Sequence, residues 1–500
     1  MNSNRQIKMG VIMSYLSIGI SIMTGLIYTP WMILSIGKEN YGLYTLAYSI
    51  IAFFMFDFGL SGAITRFVSK YLAEGRNEKA NECLGLVYRL YFYIDILFFV
   101  ILSVVYFFIP TIYRELTPDE IEKFKVVYAM AAIYSVLSFP FIPVNGILTA
   151  TEQFVALKLC EVGQKFLIVV TMSVCLLLGY GLYALVLVNA LAGIVTILAK
   201  LWVIKRYTSI NVDWKYDNKN EFREIISFSG WTTIVAFAQR FVFSIVPTLL
   251  GMFSGSGAIA VFGIANILEG YVYTFSNAIG GMFLPKVSRV YAQGSDDILP
   301  LMTRVGRIQY MVVAAVIIGF ICLGGDFIQL WVGKNFSESF ICTILIIIPS
   351  FLSTPQQIAN EAVLAKNKVK KQAVIYFWTS IFNITSACLF IYWWGAIGAC
   401  ISICATYIVR WMLSNIVLYY KELNIDVHQF YKDSLWKLFP AFSFSVITGI
   451  ALNLFIPNTN IYVFILKVVA FTTIYLISIF LSMNQYERDL LKPFLKYIKK

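Results

Sequence analysis

Residues 137–150, LSFPFIPVNGILTA, and residues 352–365, LSTPQQIANEAVLA, share Leu, Ser, Pro, Asn and Ala at five matching positions, with a constant offset of 215 residues. Self-similarity at a fixed offset is the sequence signature of an internal duplication. Three further matches occur in the same order at nearly the same offset. They are Val68-Ser69-Lys70 with Val287-Ser288-Arg289, Pro30 with Pro247, and Gly181 with Gly395. The second part of the chain therefore repeats the first.

The composition around these repeats indicates a membrane protein. Of the 500 residues, 59% are hydrophobic and only 13% are charged, whereas about 25% of residues in soluble domains are charged. A soluble enzyme, a disordered chain and a disulfide scaffold are therefore excluded. Because about 20 apolar residues cross the hydrocarbon core of a bilayer, we predict an all-α polytopic membrane protein with about fourteen transmembrane helices. They cover residues 11–35, 41–66, 84–109, 126–148, 159–179, 182–204, 225–250, 258–284, 308–328, 340–363, 373–393, 396–420, 436–456 and 461–483.

The distribution of basic residues predicts the orientation of these helices. The formal net charge is +12, and 27 of the 39 Lys and Arg residues fall in the N-terminal tail, the even-numbered loops and the C-terminal tail. Only five fall in the odd-numbered loops. Since Lys and Arg are retained on the cytoplasmic side, both termini are predicted to be cytoplasmic.

The duplication covers six helices, an even number, so the two halves are predicted to have parallel topology. We predict an N-terminal six-helix lobe at residues 1–210, a C-terminal six-helix lobe at 211–425, and accessory helices 13 and 14 with a cytoplasmic tail at 426–500. The two lobes are expected to enclose a central cleft and to operate by alternating access.

Several kinds of chemistry are disfavoured by the sequence. The only histidine, His428, lies in a polar stretch, and the eight cysteines form no C-x-x-C pair, so we predict no metal site and no bound cofactor. A primary pump is disfavoured because there is no G-x-x-x-x-G-K-[ST] phosphate loop. An enzyme is disfavoured because no external loop is large enough to carry a catalytic site.

Charged side chains inside the predicted helices are the candidate functional groups, since each costs about 2.5–3.5 kcal/mol at the centre of a membrane helix. We predict that Arg240 and Arg410 are lumen cations. Arg66 and Arg89 lie nearer the cytoplasmic ends, where they either join these cations or reach towards lipid head groups.

Two carboxylates, Asp57 and Glu269, are candidate coupling groups. Glu269 shares one helix face with Asn266 and Tyr273, at spacings of three and four residues. This polar stripe either lines the lumen or packs two helices together.

Motifs in the first two predicted helices resemble a known family. They are Gly25-Leu26-Ile27-Tyr28-Thr29-Pro30, then Gly37 with Tyr41-Gly42-Leu43-Tyr44, and Asp57-Phe58-Gly59-Leu60 with Ala63 and Arg66. This opening resembles bacterial polysaccharide flippases of the O-antigen and capsule type, within the multidrug/oligosaccharidyl-lipid/polysaccharide exporter superfamily. Fourteen helices, two parallel lobes and an accessory hairpin are what that family implies.

The resemblance implies that an undecaprenyl-pyrophosphate-linked oligosaccharide is moved from the cytoplasmic to the outer leaflet of the bacterial cytoplasmic membrane, for cell-surface polysaccharide biosynthesis. Cationic lumen residues would meet the pyrophosphate, and a gradient of Na⁺ or H⁺ would drive the cycle. The expected partners are the bilayer, the lipid-linked substrate and polysaccharide polymerase or assembly proteins, with no nucleic acid.

The residue chemistry agrees with this implication, because guanidinium groups bind phosphate oxygens in a bidentate manner. Two other functions in the superfamily stay open from the sequence. A cation-coupled multidrug exporter ordinarily has twelve helices and an acidic lumen, whereas a peptidoglycan-precursor flippase shares the pyrophosphate chemistry. From a different class, a non-transporting membrane enzyme is the remaining alternative.

Overall fold

The computed structural model describes residues 3–208, 210–214, 216, 218–280, 287, 290–291, 297–457 and 460–489. Most of the repeat match at 287–289 and the basic tail from residue 490 onward lie outside the described residues. The side chains of 1–17, 219–221, 224–229 and 275–280 lie outside them too.

The described chain is helical, and no strand occurs in it. The first eleven α-helices are α1 (Ser3–Ile36), α2 (Lys38–Phe54), α3 (Leu60–Ala73), α4 (Asn77–Ile112), α5 (Pro118–Ser138), α6 (Val144–Ala150), α7 (Phe154–Leu177), α8 (Leu182–Tyr207), α9 (Lys219–Ser244), α10 (Val246–Phe253) and α11 (Gly255–Gly280). The others are α12 (Leu299–Trp331), α13 (Glu338–Ser353), α14 (Gln357–Ala365), α15 (Val369–Leu413), α16 (Val427–Tyr431), α17 (Lys437–Phe455) and α18 (Ile461–Ser482). Short 3₁₀ helices occupy Phe139–Phe141, Lys334–Phe336 and Thr354–Gln356, and π-helical turns occupy Ser414–Glu422 and Lys432–Trp436.

Twelve helical segments in the described residues are long and apolar enough to cross a membrane. One of them, Val369–Glu422, contains two predicted helices, which meet at Gly395. That residue has φ 53° and ψ −129°, a conformation that glycine adopts without steric cost. The predicted second helix is divided into α2 and α3, neither of which is long enough to span alone. The prediction of an all-α polytopic membrane fold is confirmed.

The two stretches that first indicated the duplication have the same local structure. In each, a long helix is followed by a one-turn 3₁₀ helix and then by a short α-helix, over α5–α6 and again over α13–α14. The repeated prolines Pro140 and Pro355 lie in the 3₁₀ turns, where the missing N–H of proline leaves the helix interrupted.

The division of the second predicted helix differs from the continuous helix 41–66 that the apolar pattern predicts. The backbone leaves the α-helical conformation between Met55 and Gly59, and Gly59 takes a left-handed conformation with φ 68°. A residue with a side chain is disfavoured there. Asp57 therefore lies in a break between two helices and not on a helix face.

The described chain forms two compact units, which are described separately. The first comprises residues 1–263 and 376–399. In it α1 packs on α7, α7 on α8, α2 on α5, and α9 on α2, α3 and α4. A buried apolar core joins α3, α4 and α6 through side chains that include Ile64, Leu84 and Ile147.

The second unit comprises residues 264–375 and 400–500. Its central helix is α12, which packs against α13, α14, α17 and α18. The predicted accessory hairpin, α17 and α18, is thus held on α12.

Two buried ion pairs connect α12 to the accessory hairpin and the segment after it. Near one end, Arg307 Nε lies 2.5 Å from Glu487 Oε1 and Arg307 Nη2 3.1 Å from Glu487 Oε2. Near the other end, Lys467 Nζ lies 3.1 Å from Asp326 Oδ2 and 2.8 Å from Asn453 Oδ1. Arg307 and Asp326 are separated by about 28 Å along the helix axis, close to the ~30 Å hydrocarbon core of a bilayer. The hairpin is therefore fixed at both ends of its membrane crossing.

We expect Arg307→Met to destabilise the second unit by about 3–5 kcal/mol, because it leaves the Glu487 carboxylate buried without its cation. The double variant Arg307→Met/Glu487→Met removes both charges and should recover most of the loss. Melting temperatures of the purified protein measure both effects. The control is Lys432→Met, an exposed basic position in the second unit. A double variant as unstable as the single one would contradict this account.

Candidate functional site

The break between α2 and α3 is the first candidate site, and Asp57 organises it. Asp57 Oδ1 accepts a hydrogen bond from the backbone N–H of Ser61 at 3.2 Å, which satisfies one of the unpaired donors at the start of α3. The same oxygen accepts a hydrogen bond from the buried Tyr91 hydroxyl on α4 at 3.0 Å. The carboxylate therefore connects α3 to α4 and has a defined structural role.

Helix α9 contacts both sides of this break. Arg240 Nε donates to the carbonyl oxygen of Ala52 at 2.8 Å, and Thr233 Oγ1 donates to the carbonyl oxygen of Phe58. Ala52 lies in the last turn of α2, where carbonyls lack helical partners and attract cations. This bond uses one of the five N–H donors of the guanidinium group.

Arg240 lies near the middle of its apolar segment, Gly230–Phe253, on an exposed surface of the first unit. Aromatic rings surround this part of the break, with neighbouring centroids 4.8 to 6.3 Å apart. They belong to Phe53, Phe54, Phe56, Phe58, Phe98, Phe237 and Phe241. The structure thus places a cation at mid-depth beside an apolar, aromatic surface.

Arg89 anchors the segment between α8 and α9, which joins the two repeats. Its Nη2 donates to the carbonyl oxygens of Trp214 and Tyr216, each at 2.8 Å. In the same region, the amide nitrogen of Asp213 donates to the Asn81 carbonyl oxygen at 3.2 Å. Arg89 therefore has backbone partners in the linker.

Arg66, also in the first unit, is exposed on α3, and its guanidinium carbon lies 5.8 Å from the ring centroid of Phe67. In the second unit, Arg410 on α15 is only 4% exposed, and its guanidinium carbon lies 5.1 Å from the ring centroid of Tyr407.

The polar stripe of α11 is placed in the second unit. Glu269 and Asn266 are half-buried, and Tyr273 is 58% exposed. Glu269 has no ion-pair or hydrogen-bond partner within the part of the chain that the structure describes.

A group of lysines that the sequence analysis did not assign to the site lies within the first unit. We call Lys158, Lys165 and Lys200 the lysine cluster. On α7, Lys158 and Lys165 share one helix face with Glu161, and Lys158 Nζ lies 2.8 Å from Glu161 Oε2. On α8, Lys200 is within electrostatic range of both Lys158 and Glu161. Three cations and one carboxylate give this cluster a net charge of +2.

Two further helices contribute polar partners to the lysine cluster. Lys200 Nζ donates to Asn145 Oδ1 on α6 at 2.9 Å, and Lys165 Nζ donates to Ser21 Oγ on α1. Lys165 is about 16 Å from the start of the 24-residue α7, near the middle of the helix. Ionisable groups at this depth ordinarily face a cavity or a polar partner. Four helices therefore converge on one cationic site.

The sequence contained a usable signal for this cluster. The apolar pattern predicts a helix at 159–179, which leaves Lys158 in the preceding loop, whereas α7 begins at Phe154. Lys158, Glu161 and Lys165 are spaced by three and four residues. This spacing alone predicts that the three charges lie on one face of one helix. Their approach to Lys200 depends on the packing of α7 on α8 and is not readable from spacing.

Residues 7–290 match the family model described as "Polysaccharide biosynthesis protein". The chain belongs to this family. No curated protein sequence matches it significantly.

Solved structures with a similar fold are transporters. "Lipid II flippase MurJ, inward closed conformation" has a TM-score of 0.69 at 14% identity, over 96% of this chain and 100% of that one. "Inward-facing conformation of a multidrug resistance MATE family transporter of the MOP superfamily" has a TM-score of 0.63 at 13% identity, over 85% and 99%. At these identities the similarity establishes the fold alone. This protein is thus a multi-pass membrane protein with the fold of MOP-superfamily transporters.

We expect Asp57→Asn to be nearly as stable as the wild type, because its side-chain oxygen can still accept from Ser61 and Tyr91. Asp57→Ala should lose about 1 kcal/mol for the missing cap and about 1–3 kcal/mol for the unpaired Tyr91 hydroxyl. Thermal unfolding of the three purified proteins measures this order. An alanine variant as stable as the wild type would show that Asp57 does not hold the break together.

Proposed function

We propose that this protein is a flippase that moves a lipid-linked oligosaccharide, carried on undecaprenyl pyrophosphate, across the bacterial cytoplasmic membrane for cell-surface polysaccharide biosynthesis. The two repeats rock against each other in an alternating-access cycle. The bilayer and the lipid-linked substrate are its partners, together with polymerase or assembly proteins of the same pathway. Both termini lie in the cytoplasm.

The observation that carries this proposal is the cationic chemistry inside the membrane-spanning helices. A pyrophosphate linkage is anionic, and charge-assisted hydrogen bonds to phosphate oxygens are among the strongest that side chains make. Arg240 is the principal substrate cation, because its planar guanidinium suits bidentate binding and lies at mid-depth. Arg66, Arg89 and Arg410 are further candidate cations.

The lysine cluster supports the same assignment. Its net charge of +2 complements a pyrophosphate, and it lies in the first unit, which also contains Arg240. A carrier of cationic drugs would gain nothing from a cluster of three lysines, two of them half-buried, since like charges repel in a medium of low dielectric constant.

Glu269 is proposed to couple transport to an ion gradient. A half-buried carboxylate with no side-chain partner within the described chain is able to bind a proton or Na⁺ directly. Asn266 and Tyr273, on the same face, would supply oxygen ligands or hydrogen bonds. Asp57 is the second candidate, although its oxygen already has two donors.

We expect Arg240→Ala to reduce surface polysaccharide by about tenfold or more, since a hydrogen bond to a charged group contributes about 1.5–3 kcal/mol. Arg240→Lys retains the charge and should retain part of the activity. The matched control is Gln239→Ala, the adjacent exposed position. Surface polysaccharide is measured in cells with equal membrane abundance of each variant. Normal polysaccharide in the Arg240→Ala strain would reject the role of Arg240.

We expect Glu269→Gln to abolish gradient-driven transport while leaving substrate binding intact, because the amide has a similar shape but neither titrates nor carries charge. Reconstituted vesicles with an imposed Na⁺ or H⁺ gradient measure the transport, and the gradient that drives the wild type identifies the ion. Asn266→Ala tests the neighbouring oxygen. Undiminished gradient-driven transport by Glu269→Gln would assign coupling elsewhere.

A peptidoglycan-precursor flippase is the second candidate. It is the alternative to test because the similarity to the lipid II flippase structure extends over 96% of this chain, compared with 85% for the multidrug transporter. Rescue of cells depleted of their lipid II flippase would support this function. Loss of surface polysaccharide without any effect on the cell wall would support the first.

A further inference from the structure

A cavity of about 580 Å³ lies beside the accessory hairpin, in the second unit. We call it the hairpin cavity. It is formed by the start of α12, by the segment from α16 to the start of α17, and by the end of α18. All of these belong to the side of the membrane that is predicted to be cytoplasmic. The cavity is thus at the level of the lipid head groups on that side.

The ionisable side chains that line the hairpin cavity are mostly basic. They are Arg304, Arg307 and Lys437, with Asp433 as the only acidic one among the lining residues described. Arg307 forms the floor, since it is 4% exposed and bonds to Glu487 and to the carbonyl oxygens of Asp433 and Ser482. The ion pair between Arg307 and Glu487 therefore holds this part of the cavity lining in a fixed position.

The two remaining cations are exposed at the rim. Lys437 Nζ lies 2.7 Å from Asp433 Oδ1, so its charge is partly compensated. Arg304 has its guanidinium carbon 5.0 Å from the ring centroid of Tyr486, an arrangement that orients the charge without neutralising it. Arg304 is therefore the principal uncompensated cation of the hairpin cavity.

An apolar groove of about 490 Å³ runs between α17 and α18, and we call it the hairpin groove. It shares Ser482 with the hairpin cavity and is otherwise lined mainly by apolar side chains, among them Phe444, Ile477 and Leu481. From Lys437 to Thr448, at its far end, the distance along α17 is about 16 Å. This is about half of the ~30 Å hydrocarbon core, the depth of one leaflet.

We propose that the hairpin cavity binds the phosphate head group of an anionic glycerophospholipid from the cytoplasmic leaflet, with one acyl chain in the hairpin groove. The charge at the rim complements a phosphodiester, and basic pockets between helices on the cytoplasmic side are suited to anionic lipid head groups. The groove starts where the head group ends and is as deep as one leaflet. A soluble anion would use the cavity but would have no need of the groove.

This lipid site is separate from the transport function proposed above. Its residues belong to α12 and the accessory hairpin, which lies outside the duplicated helices. An anionic lipid there would stabilise the packing of the hairpin on α12.

The test uses the full-length protein in bicelles of phosphatidylcholine with increasing phosphatidylglycerol. We expect phosphatidylglycerol to raise the melting temperature of the wild type, and native mass spectrometry to detect a retained phosphatidylglycerol molecule. Arg304→Ala should weaken this binding about fivefold, and Arg304→Ala/Lys437→Ala about 25-fold, on the usual contribution of one basic residue near an anionic surface. Lys432→Ala, an exposed basic position on the same segment that does not line the cavity, is the control.

Equal melting temperatures of all variants in pure phosphatidylcholine establish that the substitutions leave the fold intact. Equal retention of phosphatidylcholine and phosphatidylglycerol by the wild type would overturn the proposal, because the rim charges would then select nothing. The same holds if inorganic phosphate stabilises the protein as strongly as the lipid does. Unchanged lipid binding in the double variant would overturn it as well.

Discussion

The break between α2 and α3 imposes the strictest physical requirement on this structure. A bilayer core offers no water to pair with backbone groups, so an interrupted membrane helix must satisfy its free N–H and C=O groups through neighbouring protein. Here the Asp57 side chain accepts from the Ser61 N–H, while Arg240 and Thr233 on α9 donate to the carbonyl oxygens of Ala52 and Phe58. Tyr91 on α4 supports this arrangement indirectly, because its hydroxyl donates to the Asp57 carboxylate. Helix α9 is the first helix after the segment that joins the two repeats. It nevertheless supplies the hydrogen-bond donors for the carbonyl groups of Ala52 and Phe58, at the break between α2 and α3.

This dependence gives Arg240 a structural role beside the substrate-binding role that we propose for it. As the partner of the Ala52 carbonyl, it stabilises the end of α2. Any substrate phosphate that approached Arg240 would compete with, or add to, its bond to the backbone of the break. In the function that we propose, substrate binding and the geometry of α2 would therefore be linked through one guanidinium group.

Much of the fold was predictable from the sequence, because apolar length and the 215-residue offset are properties of the chain itself. The helices follow from the apolar length, and the offset predicts that the stretches around Pro140 and Pro355 are alike, but the 3₁₀ turns in them were not predicted. The break at Asp57 was not predicted, since its residues are as apolar on average as a continuous helix and only Gly59 signals it. The pairings of Arg307 with Glu487 and of Lys467 with Asp326 join residues more than 100 positions apart, and no local pattern specifies them.

The candidate site illustrates how a duplicated scaffold acquires different chemistry in its two copies. The repeated residues Asn145 and Asn360 both accept a side-chain hydrogen bond within their own unit, the first from Lys200 at 2.9 Å and the second from the Tyr419 hydroxyl at 2.9 Å. At the position equivalent to Lys200, by the 214-residue offset of Gly181 and Gly395, the second copy has the buried Ser414, and the adjacent Asn415 accepts from Gln356 at 2.5 Å. One copy therefore uses this region to hold cations, and the other fills it with a neutral network. Because a neutral network has no charge to satisfy, it is suited to rigid packing. Retaining a lysine in the first copy has a cost in a membrane, and the anionic substrate that we propose would compensate its charge.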